Sequence, residues 1–133
     1  MAHLTLEYSA NLRAGGDFRG LCARLAACMA AQRDGDRAIF PVGGIRVRAI
    51  PCEDYCIADG APDTGFVHAI LKMGAGRSEA VRNATCSALF EVIKQHFATQ
   101  FAAQGLALSL EASEFSESGT WKHNNLHARF KKA

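Results

Sequence analysis

Arg77 stands where the chain changes from strand to helix, and a guanidinium at such a turn suits the capture of a carboxylate or phosphate. The residues before it, Phe66-Val67-His68-Ala69-Ile70-Leu71-Lys72-Met73, alternate as a half-buried strand does. Gly74-Ala75-Gly76 breaks that pattern, and Ser78 takes a helix N-cap position directly before Glu79. The first backbone N–H groups of a helix have no partners within it, so an arginine beside them completes an anion receptor. A solvated loop arginine is the plainer reading, and position alone does not separate the two. Two more cations lie on Ile45-Arg46-Val47-Arg48-Ala49-Ile50. Strand alternation puts Ile45, Val47 and Ala49 on one face and Arg46 and Arg48 on the other.

The elements that must position these groups repeat. His3-Leu4-Thr5-Leu6-Glu7-Tyr8 alternates as a strand, and Asn11 to Gly16 interrupts it. Asp17 can cap a helix whose apolar positions are Phe18, Leu21, Cys22, Leu25, Cys28 and Met29. Gln32 to Arg37 is polar loop, and Phe40-Pro41-Val42-Gly43-Gly44 is a turn that leads into the arginine-bearing strand. In the second half, a helix from about Glu79 carries Val81, Thr85, Ala88, Leu89, Val92 and Phe97 on its apolar stripe. Gly105 reads as its stop, and Leu106-Ala107-Leu108-Ser109-Leu110-Glu111 alternates again. Arg13 holds in the first half the place of Arg77 in the second.

Two β-α-β units, about 1–60 and 61–133, therefore follow one another within a single domain. A β-α-β crossover joins parallel strands and is right-handed. The expected fold is α+β: a four-stranded mixed sheet, built by pseudo-twofold duplication, with both helices on one face. Val67, Ala69 and Leu71 lie on one side of their strand and Ile70 on the other. An apolar group on both faces predicts an oligomer in which sheets pack around an axis.

Composition narrows the partners. The net charge is +2 with histidines neutral, and no basic block appears, so nucleic acid is not an expected partner. The Lys131-Lys132 tail reads as ordinary surface. No apolar run approaches the roughly 20 residues of a membrane span, and the first residues lack a basic-then-apolar leader pattern. A soluble, cytoplasmic protein is expected. The five cysteines are an odd number, and Cys22, Cys28 and Cys86 fall inside helical patterns. Cys52 and Cys56 would lie roughly 13 Å apart on a strand, too far to share a metal. Neither a metal nor a cofactor is expected.

Several segments in order resemble the tautomerase superfamily and, more narrowly, are similar to the 5-carboxymethyl-2-hydroxymuconate isomerase family. They are His3 to Tyr8, Phe40-Pro41 with Gly44-Ile45-Arg46, Ala58-Asp59-Gly60, Phe66-Val67-His68, Gly74-Ala75-Gly76-Arg77-Ser78, and Asn124-Asn125 with His127. The resemblance spans almost the whole chain. It implies a homotrimer and an isomerase of homoprotocatechuate breakdown, which converts a dienol bearing several carboxylates into its conjugated ketone by moving one proton. The family base is the amine of an N-terminal proline exposed by methionine removal, and arginines bind the carboxylates. Arg77 matches the arginine of the strand-to-helix turn, and Arg46 the one on the strand after the first helix.

This chain departs from the pattern at Ala2, where the family has proline. Removal of Met1 would leave Ala2 a primary α-amine with an ordinary pKa of about 7.7 to 8.0. Such an amine is a usable base and also a Schiff-base nucleophile. The resemblance thus implies Ala2, Arg46 and Arg77 as the catalytic centre. His3 follows the base and can tune it, Arg48 can be a second carboxylate contact, and Phe40 can wall the pocket. Each also has a plain structural reading as strand surface, solvated charge and core. His68 reads as a packed, hydrogen-bonded histidine. Lys122 to His127 reads as an intersubunit or terminal packing element, with Trp121 burying its ring to anchor it. A carboxylate-binding homologue that kept the arginines and lost the base is the alternative.

Overall fold

The computed structural model describes residues 1–131, so Lys132 of the tail lies outside the described residues. Strand β1 (Ala2–Ser9) buries alternate residues, with Leu4, Leu6 and Tyr8 on its inner face. A 3-10 turn (Ala10–Leu12) and a single interrupted turn, α1 (Arg13–Gly16), carry the chain to Asp17. Asp17 has a left-handed backbone (φ 44°), and its carboxylate accepts the Gly20 N–H at 3.1 Å, which starts α2 (Phe18–Ala31). Strands β2 (Arg33–Asp34) and β3 (Arg37–Ala38) make a two-residue ladder in the segment expected to be plain loop. Then come β4 (Ile45–Cys52), β5 (Thr64–Gly74), α3 (Glu79–His96), the short α4 (Ala98–Ala103) and β6 (Gly105–Phe115).

The sheet runs β4-β1-β5-β6. Strand β1 is parallel to β4, β5 is parallel to β6, and the two units meet through the antiparallel β1–β5 pair. This is the expected mixed sheet of two β-α-β units. Helix α2 buries Leu21, Leu25 and Met29, and α3 buries Thr85, Leu89 and Ile93. The buried stripe of α3 thus steps by four residues through Ile93, and Val92 is only partly buried. These side chains join Leu4, Leu6, Tyr8, Val67, Ala69, Leu71 and Met73 in one core. Tyr8 and Phe18 stack at 3.6 Å between centroids, which locks the start of α2 onto β1. Truncation at the centre of this core should be costly: Leu89→Ala is expected to lose about 2–5 kcal/mol in urea unfolding with an unchanged m value.

Two expectations are refined. The helix-free face of the sheet is mixed rather than uniformly apolar. Register places Ile70 in a row with His68 and Lys72, between Thr5 and Glu111, and puts His3, Arg46 and Arg48 on the same face. Phe66 of β5 and the exposed Ile50 of β4 lie on this face as well, so apolar groups stand among the charged ones. Trp121 does not bury its ring within its own chain, being 89 % exposed there. The terminal segment is held instead by polar contacts to the turn before β4. No helix among the described residues is long and apolar enough to cross a membrane.

Candidate active site

Strand β5 ends at Gly74, and Gly76 takes a positive φ of 115° that an L side chain rarely adopts. Ser78 then caps α3, its hydroxyl accepting the Val81 N–H at 3.2 Å. Arg77 between them is tied down. Its Nη1 donates to Gly74 O at 2.9 Å and its Nη2 to Ile39 O at 2.7 Å. Its guanidinium carbon lies 5.8 Å from the centroid of Phe40, a ring buried in the core. Two of five N–H groups serve these carbonyls, leaving three for a ligand. Phe40 therefore packs as core and supports the arginine from below.

The hinge before the helix carries a carboxylate of its own. Glu114 accepts the Gly76 N–H at 3.2 Å and pairs with Arg82 at 3.2 Å. Arg82 in turn donates to the Arg77 carbonyl at 2.7 Å. The Gly76 N–H of this turn is thus taken by β6, while Ser78 takes the Val81 N–H of the helix itself. Arg77 is aimed instead at the loop before β4, beside a cleft of about 230 Å³ lined by Asp34, Arg37, Ile39 and the hinge residues Ala75 to Ser78.

The start of β1 is a second focus. Ala2 is buried between Ile45 of β4 and Met73 of β5. In the chain with Met1 attached, the nitrogen of Ala2 is an amide and the free amine is that of Met1. This amine is held below its ordinary pKa, first by burial and then by the charges of Lys122, Arg77 and Arg46, while Glu117 works in the opposite direction. A lowered pKa keeps more of the amine unprotonated near neutrality. Arg46 carries a further sign of function: its Nη1 is buried and finds no hydrogen-bond partner among the described residues. Buried donors are nearly always paired, so this nitrogen wants an acceptor.

His3 and Arg48 form a separate group on the helix-free face. Arg48 donates to His3 Nδ1 at 3.1 Å, and His3 Nε2 lies 2.9 Å from Met1 Sδ. Burial, Arg48 and Arg46 hold the His3 ring below its ordinary pKa. With Thr5, Ile70 and Lys72 these residues line a second cleft. The sequence-predicted residues therefore fall into two sets, Arg77 with Phe40 and His3 with Arg48, and Arg46 acts on both the amine and His3. Arg13 sits apart, paired with Glu53 at 2.7 Å. His68 is hydrogen-bonded to Ser109 at 2.6 Å and to Glu111 at 3.0 Å, as a strand histidine without a site role would be.

Sequence reasoning missed Lys122 and Glu117. Asn124 Nδ2 donates to Gly43 O at 3.2 Å, and a Cβ at Gly43 would stand 2.8 Å from the His127 nitrogen. A Cβ at Gly44 would lie 3.2 Å from Met1 Cα and 3.5 Å from the His127 ring. The glycine pair is what lets the terminal segment and the chain start meet. The signal was in Gly43-Gly44 and Asn124-Asn125, but it names no partner without the fold.

Known proteins resemble this one over its full length. A family model described as 5-carboxymethyl-2-hydroxymuconate isomerase matches residues 2–130. The 5-carboxymethyl-2-hydroxymuconate Delta-isomerase of Escherichia coli is 41 % identical over 131 residues, 98 % of this chain and 100 % of that protein. The crystal structure of a 5-carboxymethyl-2-hydroxymuconate isomerase from Deinococcus radiodurans R1 superposes with a TM-score of 0.90 at 51 % identity, covering 98 % of this chain and 95 % of that one. A native fused 4-OT structure, at 18 % identity and a TM-score of 0.60 over 96 % of this chain and 98 % of that one, shares the fold alone.

Proposed function

The chain belongs to the 5-carboxymethyl-2-hydroxymuconate isomerase family, and from that premise we propose that it ketonises a dienol carrying several carboxylates. The catalytic group is the α-amine of Ala2 once Met1 is removed. Its lone pair takes the proton of the dienol hydroxyl, the negative charge spreads along the conjugated chain, and the ammonium returns a proton to the far carbon. One O–H bond breaks, one C–H bond forms, and the amine is restored. Arg77 and Arg46 hold carboxylates and stabilise the dienolate as its charge develops. Arg48 and His3, which share the helix-free face with Arg46, contact the substrate from that side, and Phe40 closes the pocket behind Arg77. The observation that carries this reading is the gathering of cations around the start of β1, where burial first and then the charges of Lys122, Arg77 and Arg46 lower the pKa of the Met1 amine.

The natural setting we propose is cytoplasmic breakdown of aromatic compounds by a homotrimer. The unfilled Arg46 donor, the outer edges of β4 and β6, and the exposed Trp121 are consistent with a neighbouring subunit. A processed chain should ketonise 5-carboxymethyl-2-hydroxymuconate in an absorbance assay and sediment as a trimer. No rate above the uncatalysed reaction sinks the enzyme reading, and a monomer sinks the assembly. The proline-to-alanine departure at position 2 favours one other reading, a carboxylate-binding homologue without catalysis. That protein would bind the dienol and leave its rate unchanged.

A further inference from the structure

We propose that Lys122 is a third carboxylate-binding cation of this site, with Glu117 as the chain's own competitor for it. The inference rests on the isomerase reading for its substrate and on the following geometry for its residue. After β6 the chain makes a 3-10 turn (Glu117–Gly119) and comes back toward the start of β1. Lys122 Nζ lies 2.9 Å from Glu117 Oε2. Glu117 Oε1 lies 3.1 Å from the point a Cβ on Gly74 would occupy, and Arg77 Nη1 lies 3.4 Å from the same point. The Glu117 carboxylate thus reaches from Lys122 to the neighbourhood of Arg77, across a glycine that leaves it room. Gly74 directly follows Met73, the ladder partner of Ala2. A carboxylate of the chain itself therefore sits between two cations at the mouth of the proposed site.

That placement is what a substrate carboxylate would take over. The Glu117 side chain is 63 % exposed and that of Lys122 34 % exposed, so their pair is worth little and exchanges readily for another carboxylate. A carboxymethyl-muconate carries three carboxylates, and Lys122 joins Arg77 and Arg46 around the chain start, with Arg48 further along the face of Arg46. The groups facing the amine are Lys122 and Glu117 from the terminal segment, Arg77 from the hinge, Arg46 from β4, His3 from β1 itself and the His127 ring packed at Gly44. Among the charges Lys122 acts most strongly, and Glu117 opposes it.

The test compares Lys122→Met, Lys122→Arg and Glu117→Gln in the processed full chain, by kinetics across pH and by calorimetry with propane-1,2,3-tricarboxylate as probe. Lys122→Met should raise KM and weaken probe binding by about tenfold or more, the loss expected for a charge-assisted contact. Removing that cation should also raise the pKa of the amine, moving the acid limb of kcat/KM to higher pH. Glu117→Gln should do the reverse: lower KM, tighter probe binding and an acid limb at lower pH. Lys122→Arg should restore probe affinity. Unchanged probe binding in Lys122→Met, or limbs that move the same way in both variants, overturns the proposal. A chain that binds the probe through Lys122 and yet fails to ketonise would keep this inference and sink the isomerase reading. An active chain indifferent to Lys122 would do the opposite.

Discussion

Arg77→Ala is expected to lower kcat/KM of the processed chain by about 10²–10³, the range seen when one preorganised donor to a developing oxyanion is removed. The size follows from how the side chain is held. Its contacts to Gly74 O and Ile39 O fix the guanidinium before substrate arrives, so its free N–H groups need no reorganisation. Arg77→Lys should recover only part of the loss, because an ammonium keeps the charge but cannot hold both carbonyls and a carboxylate fork at once. Steady-state kinetics of the two variants, with circular dichroism to confirm folding, checks this. Equal activity of Arg77→Ala and the parent would remove Arg77 from the mechanism.

Retention of Met1 is expected to lower kcat by about 10²–10⁴, the usual worth of a positioned general base. Peptide-bonded nitrogen has no basic lone pair, and the Met1 amine sits one residue, about 3.8 Å in Cα spacing, from the place the family uses. The comparison is between chain with Met1 retained, verified by intact mass, and chain with Met1 removed. In the processed chain the same Arg77, Arg46 and Lys122 charges surround the Ala2 end of β1. The amine works deprotonated; burial and then those cations lower the pKa of the Met1 amine, and the same surroundings are expected to lower that of the Ala2 amine. Activity should therefore fall as pH drops through a value below the ordinary α-amine range of about 7.7 to 8.0. Ala2→Pro, which restores the family's secondary amine and its fixed geometry, should raise kcat. Equal rates with and without Met1 would show that the α-amine of residue 2 is not the base.

Much of the fold can be read from local pattern. The caps at Asp17 and Ser78 and the strand alternation at β1, β4, β5 and β6 each depend on residues a few positions apart. Such short-range signals survive in sequence because the backbone itself enforces their periods. The stripe of α3 was legible to within one residue, Ile93 rather than Val92, since a 3.6-residue period leaves neighbouring positions nearly equivalent. The mixed character of the open sheet face was not legible from β5 alone. It required the register that sets Ile70 beside Thr5 and Glu111.

The candidate site divides along the same line. By itself the sequence determined that Arg77 lies at a glycine hinge between strand and helix, and that Arg46 and Arg48 share a strand face. Through its segments it also determined the family, with alanine where the family has its proline. Only the tertiary structure decided where these groups point. Arg77 is held by the carbonyl of Ile39, 38 positions away, and Gly43 receives Asn124 from 81 positions away. Glu114 takes the Gly76 N–H of the hinge, while Glu117 and Lys122 arrive beside the chain start from a tail that read as mere packing. Local periodicity fixes which face a residue takes. Which charges meet depends on chain segments far apart in sequence, and that is settled only when the two β-α-β units pair through β1 and β5.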